Sequence, residues 1–210
     1  MLAPEVVITD ALAPIGRVEG LCRGGDVTLK EYFASTLAAA RTGSAWAWES
    51  IYHDLAGPVA GYLRGAGAPD VEDLVSETFL SVAKDIHRFE GDEDSFRAWV
   101  FTIAHRRMQD AWRSRGRQVP VADGDAAQEH AERRWLGNVE HEAMTSMSMV
   151  EVHAIIDHLT QAQRDVLLLR VVGDLSVAQA AEVLDTSEGA VRALQNRALR
   201  DLRKELSDDA

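Results

Sequence analysis

The stretch from Asp70 to Arg117 constrains the fold most, because its character changes halfway along. Its first half, PDVEDLVSETFLSVAKDIHRFEGDEDS, is acidic. Val71, Leu74, Val75, Thr78, Phe79, Val82 and Ile86 recur in it at three- and four-residue steps, the period of a helix with one buried face. The second half, FRAWVFTIAHRRMQDAWRSRGR, is aromatic and then basic. From Arg97 to Arg117 six arginines stand against one acid, Asp110, a local balance of +5 in a chain of net charge -12. A basic helix in an acidic protein points to nucleic acid on one confined surface, with the other faces left for something else.

Strand-like alternation is scarce and all five prolines lie at or before Pro120, which predicts an all-α chain. At 210 residues it holds one domain or two small ones. Cys22 is the lone cysteine, so no internal disulfide forms and a reducing compartment fits. No apolar run reaches membrane length and no charged, apolar leader opens the chain, so the expectation is a cytoplasmic protein without membrane insertion. The seven histidines are dispersed, and there is no Walker loop or dinucleotide fingerprint. No metal site and no cofactor are predicted.

Residues 1–44 are expected to form a disordered or loosely docked extension with one helix over Asp26–Arg41, carrying Leu29, Phe33, Leu37 and Ala40 on one face. A regulatory arm that covers a functional surface is the sharper reading of the same stretch. From Ser44 to Gly65 the pattern predicts a helix or a helix pair, with Pro58 as the place for a kink or a division. Asp70 is placed to cap the next helix and Ser95 the one after it. In that later helix Phe96, Trp99, Val100 and Ile103 form the inward stripe. Arg107 and Asp110 then fall where the stripe should continue, so its second half is expected to leave the core. A second line, Phe101, His105, Met108 and Trp112, runs amid the arginines. An exposed aromatic in that setting suits base stacking with phosphate contact; alternatively Trp112 packs on the preceding helix and the arginines are solvated.

Residues 118–149 read as an acidic linker. A second unit is expected over 150–206, with residues 207–210 as a tail. VEVHAIIDHL places Val152, Ile155, Ile156 and Leu159 on one face. Thr160, Ser176 and Ser187 are placed to cap three successive helices. A short helix, the turn Asp185-Thr186-Ser187 and a longer basic helix make a helix-turn-helix. Inward positions of its second helix are Val191, Leu194, Ala198 and Leu202. Its first turns put Glu188, Arg192, Gln195 and Asn196 closest to base edges, with Arg197, Arg200 and Arg203 on phosphates or a partner.

Taken together, DVEDLVSETFLSVAKDIHRF, DSFRAWVFTIAHRRMQDAWRSRGR and LTQAQRDVLLLRVVGDLSVAQAAEVLDTSEGAVRALQNRALRDLRKEL resemble regions 2 and 4 of the extracytoplasmic-function sigma factors, small two-domain relatives of the bacterial housekeeping sigma factor. The resemblance implies region 2 over 45–117 and a region 4 helix-turn-helix over 150–206. It implies core RNA polymerase, through its β and β' subunits, and promoter DNA as partners, with an anti-sigma protein as a further partner of many members. Asp70, Glu72, Asp73, Leu74, Glu77 and Phe79 match the polymerase-facing helix and its support. The loop His87 to Ser95, including Arg88 and Phe89, matches the segment that receives an unstacked base of the -10 element. Arg106, Arg107, Asp110, Trp112 and Arg113 match the helix that meets -10 DNA. Ser187, Glu188, Arg192, Gln195, Asn196, Arg197 and Arg200 match the reader of the -35 duplex. Relatives often carry Asn where this chain has Arg106, and Gly where it has Asp185.

The other readings are a conventional helix-turn-helix regulator that binds duplex DNA without polymerase, and an enzyme. The aromatic, basic helix at 96–117 argues against the first. Pairs such as His153 and His158 assemble no nucleophile, base and orienting group, so no catalytic residue is predicted.

Overall fold

The computed structural model describes residues 29–118 and 158–208. Among them every regular element is helical: α1 (Leu29–Arg41), α2 (Ala45–Gly65), α3 (Val71–Asp85), a 3-10 turn (Ile86–Arg88), α4 (Glu93–Gln118), α5 (Gln161–Val171), α6 (Val177–Val183) and α7 (Glu188–Asp208). Residues 1–28, the predicted linker beyond Gln118, and Val152, Ile155 and Ile156 of the helix predicted from Val150 lie outside the described residues.

Leu29, Phe33, Leu37 and Ala40 of α1 are all buried, on the face their spacing predicts. The loose docking expected of this segment does not hold for residues 29–41. A 13-residue helix is marginal alone, but here its apolar stripe closes one side of the core built by α2, α3 and α4. Phe33 packs against Phe96 with ring centroids 5.3 Å apart. α2 runs unbroken through Pro58, because Ile51, Leu55, Val59 and Tyr62 keep one fully buried stripe across it.

Two predicted caps differ. Asp70 does precede α3, but its φ of 46° is left-handed and its side chain makes no capping bond. Its carboxylate pairs instead with the Arg115 guanidinium. α4 begins two residues before Ser95, since the Ser95 amide donates to Asp92 Oδ1 at 2.9 Å and Asp92 does the capping. A hydrogen bond from the Ser95 side chain, and then that from its amide, hold the Asp92 carboxyl below its ordinary value.

The second half of α4 does not leave the core. Phe101 and Met108 are fully buried, His105 is buried and Trp112 is half-buried. The stripe shifts because α4 is covered on a second side, by α6. Helices α5 to α7 are seated on α2 and α4, and one apolar core runs through both sets. Small residues permit the approach. A Cβ on Gly65 would stand 2.8 Å from Leu168, and one on Gly173 would stand 2.7 Å from the Leu169 carbonyl and 3.3 Å from the Phe101 ring. Two amides fasten the rim: Gln161 Nε2 donates to the Ala66 carbonyl at 3.1 Å, and Gln179 Nε2 to the Asp94 carbonyl at 2.8 Å.

The caps of α5 to α7 are those predicted. Thr160 with Gln163, and Ser176 with Gln179, form reciprocal capping boxes. Ser187 Oγ accepts from the Ala190 amide at 3.2 Å. After α6 the chain turns through Asp185 at φ 50°, and the Thr186 amide returns to the Ala181 carbonyl at 2.9 Å. That is the left-handed helix stop expected where Gly is common. Val191 and Ala198 are fully buried, and Leu194 and Leu202 are half-buried, so α7 shows its predicted inward side.

Candidate nucleic-acid interface

α3 turns an acidic face outward. Glu72, Asp73, Glu77 and the preceding Asp70 are exposed, while Leu74 and Phe79 are buried beneath them. Tyr52 of α2 lies on the Phe79 ring at 4.8 Å and is half open to solvent, which adds an aromatic edge to this surface. In the sequence Tyr52 reads as part of the apolar repeat of α2, and only packing places it beside α3 and half open to solvent.

Between α3 and α4 the chain makes the 3-10 turn Ile86–Arg88 and then a loop. His87 and Arg88 are exposed. Phe89 is half-buried and anchors the loop in an aromatic cluster, with its ring 5.1 Å from Phe96, 5.2 Å from Trp99 and 6.5 Å from Phe33.

The arginines of α4 have different duties. Arg97 is half-buried and bridges Glu93 at 3.0 Å and Asp54 at 2.8 Å. Burial raises the Glu93 carboxyl, and the charge and hydrogen bond of Arg97 pull the other way. Arg107 turns toward α3, where it donates to Ser81 Oγ at 2.7 Å and lies 3.9 Å from Glu77. Arg115 is held by Asp70. Arg106 and Arg113 are exposed, and with Asp110 they face the end of α6. His105, Arg106, Gln109, Asp110 and Arg113 of α4 line a crevice of about 480 Å³ with Glu182 to Asp185. Arg113 lies 3.6 Å from Asp110 and donates to Gln109 Oε1 at 3.0 Å.

The residues expected to meet the -10 element are therefore not one patch. His87, Arg88 and Phe89 sit at the start of α4, and Arg106 lies 13 residues beyond Glu93, roughly 20 Å along the axis. Arg107 joins the acidic α3 surface, and Trp112 packs against the core.

Beneath the crevice lies a buried polar cluster. His105 Nδ1 is 2.6 Å from Tyr62 Oη, and its Nε2 is 2.7 Å from Gln109 Nε2. With Gln109 donating, the neutral ring keeps its proton on Nδ1 and gives it to Tyr62. Burial, then the charge of Arg106, holds the His105 pKa below its ordinary value. Asp165 of α5 is buried, accepts from Gln161 Nε2 at 2.8 Å, and has its carboxyl pushed up to about 6 by burial. Burial raises the Tyr62 hydroxyl, and the charge of Asp165 adds to it across the seat. Nothing in the local sequence marks Asp165, because helices far apart in the chain bury it.

In the helix-turn-helix, Ser187, Glu188, Arg192, Asn196, Arg197 and Arg200 are exposed and Gln195 is half-buried. Arg192 bonds to Glu188 at 2.7 Å, one turn back on the same helix. Ser187 serves as the cap. The structure thus brings the expected -35 residues together on the free face and first turn of α7.

This arrangement, an acidic helix, an aromatic loop and a basic helix followed by a helix-turn-helix, is matched in known proteins. Residues 51–118 match Sigma-70 region 2, and residues 149–202 match Sigma-70, region 4. The chain belongs to the sigma-70 family, in its ECF group. It is 32% identical over 173 residues to the ECF RNA polymerase sigma factor BldN of Streptomyces coelicolor, covering 81% of this chain and 64% of that one. It is also 32% identical over 142 residues to SigX of Bacillus subtilis, covering 64% of this chain and 70% of that one. The chain thus spans just under two thirds of the length of BldN. Among solved structures it is similar to CnrH, determined in complex with the cytosolic domain of CnrY, with a TM-score of 0.57 and 26% identity over 84% of this chain and 97% of that one.

Proposed function

We propose that this chain is a promoter-specificity subunit of bacterial RNA polymerase that catalyses nothing itself. The acidic face of α3, with Leu74 and Phe79 supporting it, docks on the β' subunit. The free face of α7 reads the -35 duplex, and region 4 also contacts the β subunit. The loop at His87 to Phe89 and the exposed side of α4 capture the melted -10 strand. Binding unpaired bases shifts the closed–open equilibrium of the promoter without any bond-making. A cytoplasmic location follows from those partners, and an anti-sigma protein is a further one.

The observation that supports this reading is the pairing, in one chain, of an open helix-turn-helix with an exposed acidic face on α3 and an aromatic loop. A duplex-binding regulator needs only the first. The seat of α6 on α4 adds a geometric condition: Arg106, Asp110 and Arg113 face α6, so α6 moves away before that side of α4 meets DNA.

Run-off transcription on a genomic promoter library, with and without core polymerase, tests the reading. Transcripts that need both components support it, and their upstream sequences give the two elements. Tight binding of the chain alone to a duplex palindrome, with no polymerase-dependent transcript, would establish the conventional regulator instead.

A further inference from the structure

The end of α1 is tied to the loop that precedes α4. Arg41, in the last turn of α1, sends its guanidinium across to two main-chain carbonyls: Nε donates to Ile86 O at 3.4 Å, and Nη2 donates to Phe89 O. These two carbonyls bracket His87 and Arg88. One planar, rigid group therefore fixes the peptide units on both sides of the exposed pair. Phe33, two turns earlier on α1, packs against Phe89 and Phe96 and holds the same loop from its apolar side. At the far end Lys30 Nζ meets Asp94 Oδ1 at 2.9 Å. Both partners of that bridge are exposed, so it contributes little by itself. Between α1 and residues 90–94 lies a cleft of about 700 Å³, with Arg41 and Lys30 among its lining residues.

No other hydrogen bond between described side chains and the carbonyls of 86–89 accompanies those of Arg41; the turn's own bond runs from the Phe89 amide to Ile86 O at 3.3 Å. We propose that Arg41 is a positioning residue for strand capture: it braces the loop so that His87 and Arg88 are presented in one fixed geometry. The proposal rests on the reading of this loop as a -10 contact and adds to it an element outside the matched region 2 segment. Two bonds from one charged donor carry geometric specificity that a lysine, with a compact ammonium on a flexible stem, cannot reproduce.

The test uses the full chain with core polymerase on a promoter carrying 2-aminopurine in the non-template -10 strand. Arg41→Ala, Arg41→Lys and Arg88→Ala are compared for the rate of strand opening, for holoenzyme assembly by anisotropy, and for thermal melting by circular dichroism. Arg41→Ala is expected to open the promoter about tenfold more slowly, the effect of losing one or two charge-assisted bonds, with assembly and melting close to wild type. Arg41→Lys should fall between the two. Wild-type opening by Arg41→Ala, while Arg88→Ala is slow, would overturn the brace and leave the loop reading standing. Wild-type opening by both would overturn both. Assembly and opening falling together in Arg41→Ala would mark a general structural role and equally overturn the proposal.

Discussion

α4 and α7 are both long helices carrying several arginines, yet they use them differently. In α4, Arg97, Arg107 and Arg115 reach carboxylates or a hydroxyl on other parts of the fold: Asp54, Glu77, Ser81 and Asp70. In α7, Arg192 and Arg197 bond only within their own helix, to Glu188 and the Ala193 carbonyl, and both remain exposed. α4 is covered by α2 and α3 on one side and by α6 on another, whereas α7 packs on α5 and α6 and leaves its other face open. A local charge balance therefore does not measure a DNA-binding face. Half of the α4 signal is fold architecture, while the smaller excess on α7 is available to a ligand. Under the proposed function the helix-turn-helix is ready as it stands, and α4 needs a rearrangement before it meets DNA.

The largest effect is expected from opening the seat of α5 to α7 on α2 and α4. Phe101→Ala removes a fully buried ring that meets Tyr62 on one side and Gly173 on the other. The expected loss is about 3–5 kcal/mol, with the single unfolding transition splitting as α5 to α7 loosen. An unaltered midpoint in guanidinium would mean that the two sets of helices do not share a core.

Arg97→Ala should come next. It strands the carboxylates of Asp54 and the buried Glu93, at a cost of about 3 kcal/mol. Thermal melting checks it, and a loss below about 0.5 kcal/mol would class Arg97 with the surface arginines.

Asp165→Asn tests the seat through pH. In the folded chain the carboxyl titrates at about 6, above its ordinary 3.8, so the folded state holds the extra proton between those values. Stability from this group is full below about pH 4, falls as pH rises to 6, and stays low above it. His105, on α4 beside Tyr62, acts oppositely, because its lowered pKa makes stability rise as pH climbs toward 6.5. The Asn variant should gain on the order of 2 kcal/mol over wild type at pH 7 and nothing at pH 4. Urea unfolding at both pH values reads the difference, and parallel curves would show that Asp165 ionises freely.

The smallest stability effect belongs to α7. Arg200→Ala should change the melting temperature negligibly, by less than about 0.5 kcal/mol, yet reduce the salt slope of duplex binding by about 1. Unchanged salt dependence would remove Arg200 from the phosphate contacts.

Elements governed by local rules were legible in the sequence. The capping residues Thr160, Ser176 and Ser187, the stop at Asp185 and the stripes of α1, α3 and α7 each follow from a few neighbouring residues. What was hidden depends on distant partners. Phe101, His105 and Met108 read as a line leaving the core, because α6, which covers them, comes roughly seventy residues later in the chain. Asp70 reads as a cap because Arg115, its true partner, lies on another helix. Arg41 and Asp165 carry no local pattern at all; one acts through main-chain carbonyls and the other through burial by the seat.

The seat of α6 on α4 can be read as a distance in solution. Spin labels at Ser114 on α4 and Thr186 after α6, both exposed, would be placed in a Cys22→Ser background and read by double electron–electron resonance. A single narrow, short distance in the free chain, lengthening when core polymerase and promoter DNA are added, is the predicted result. A broad distribution in the free chain, or a short distance that persists in the open complex, would contradict it.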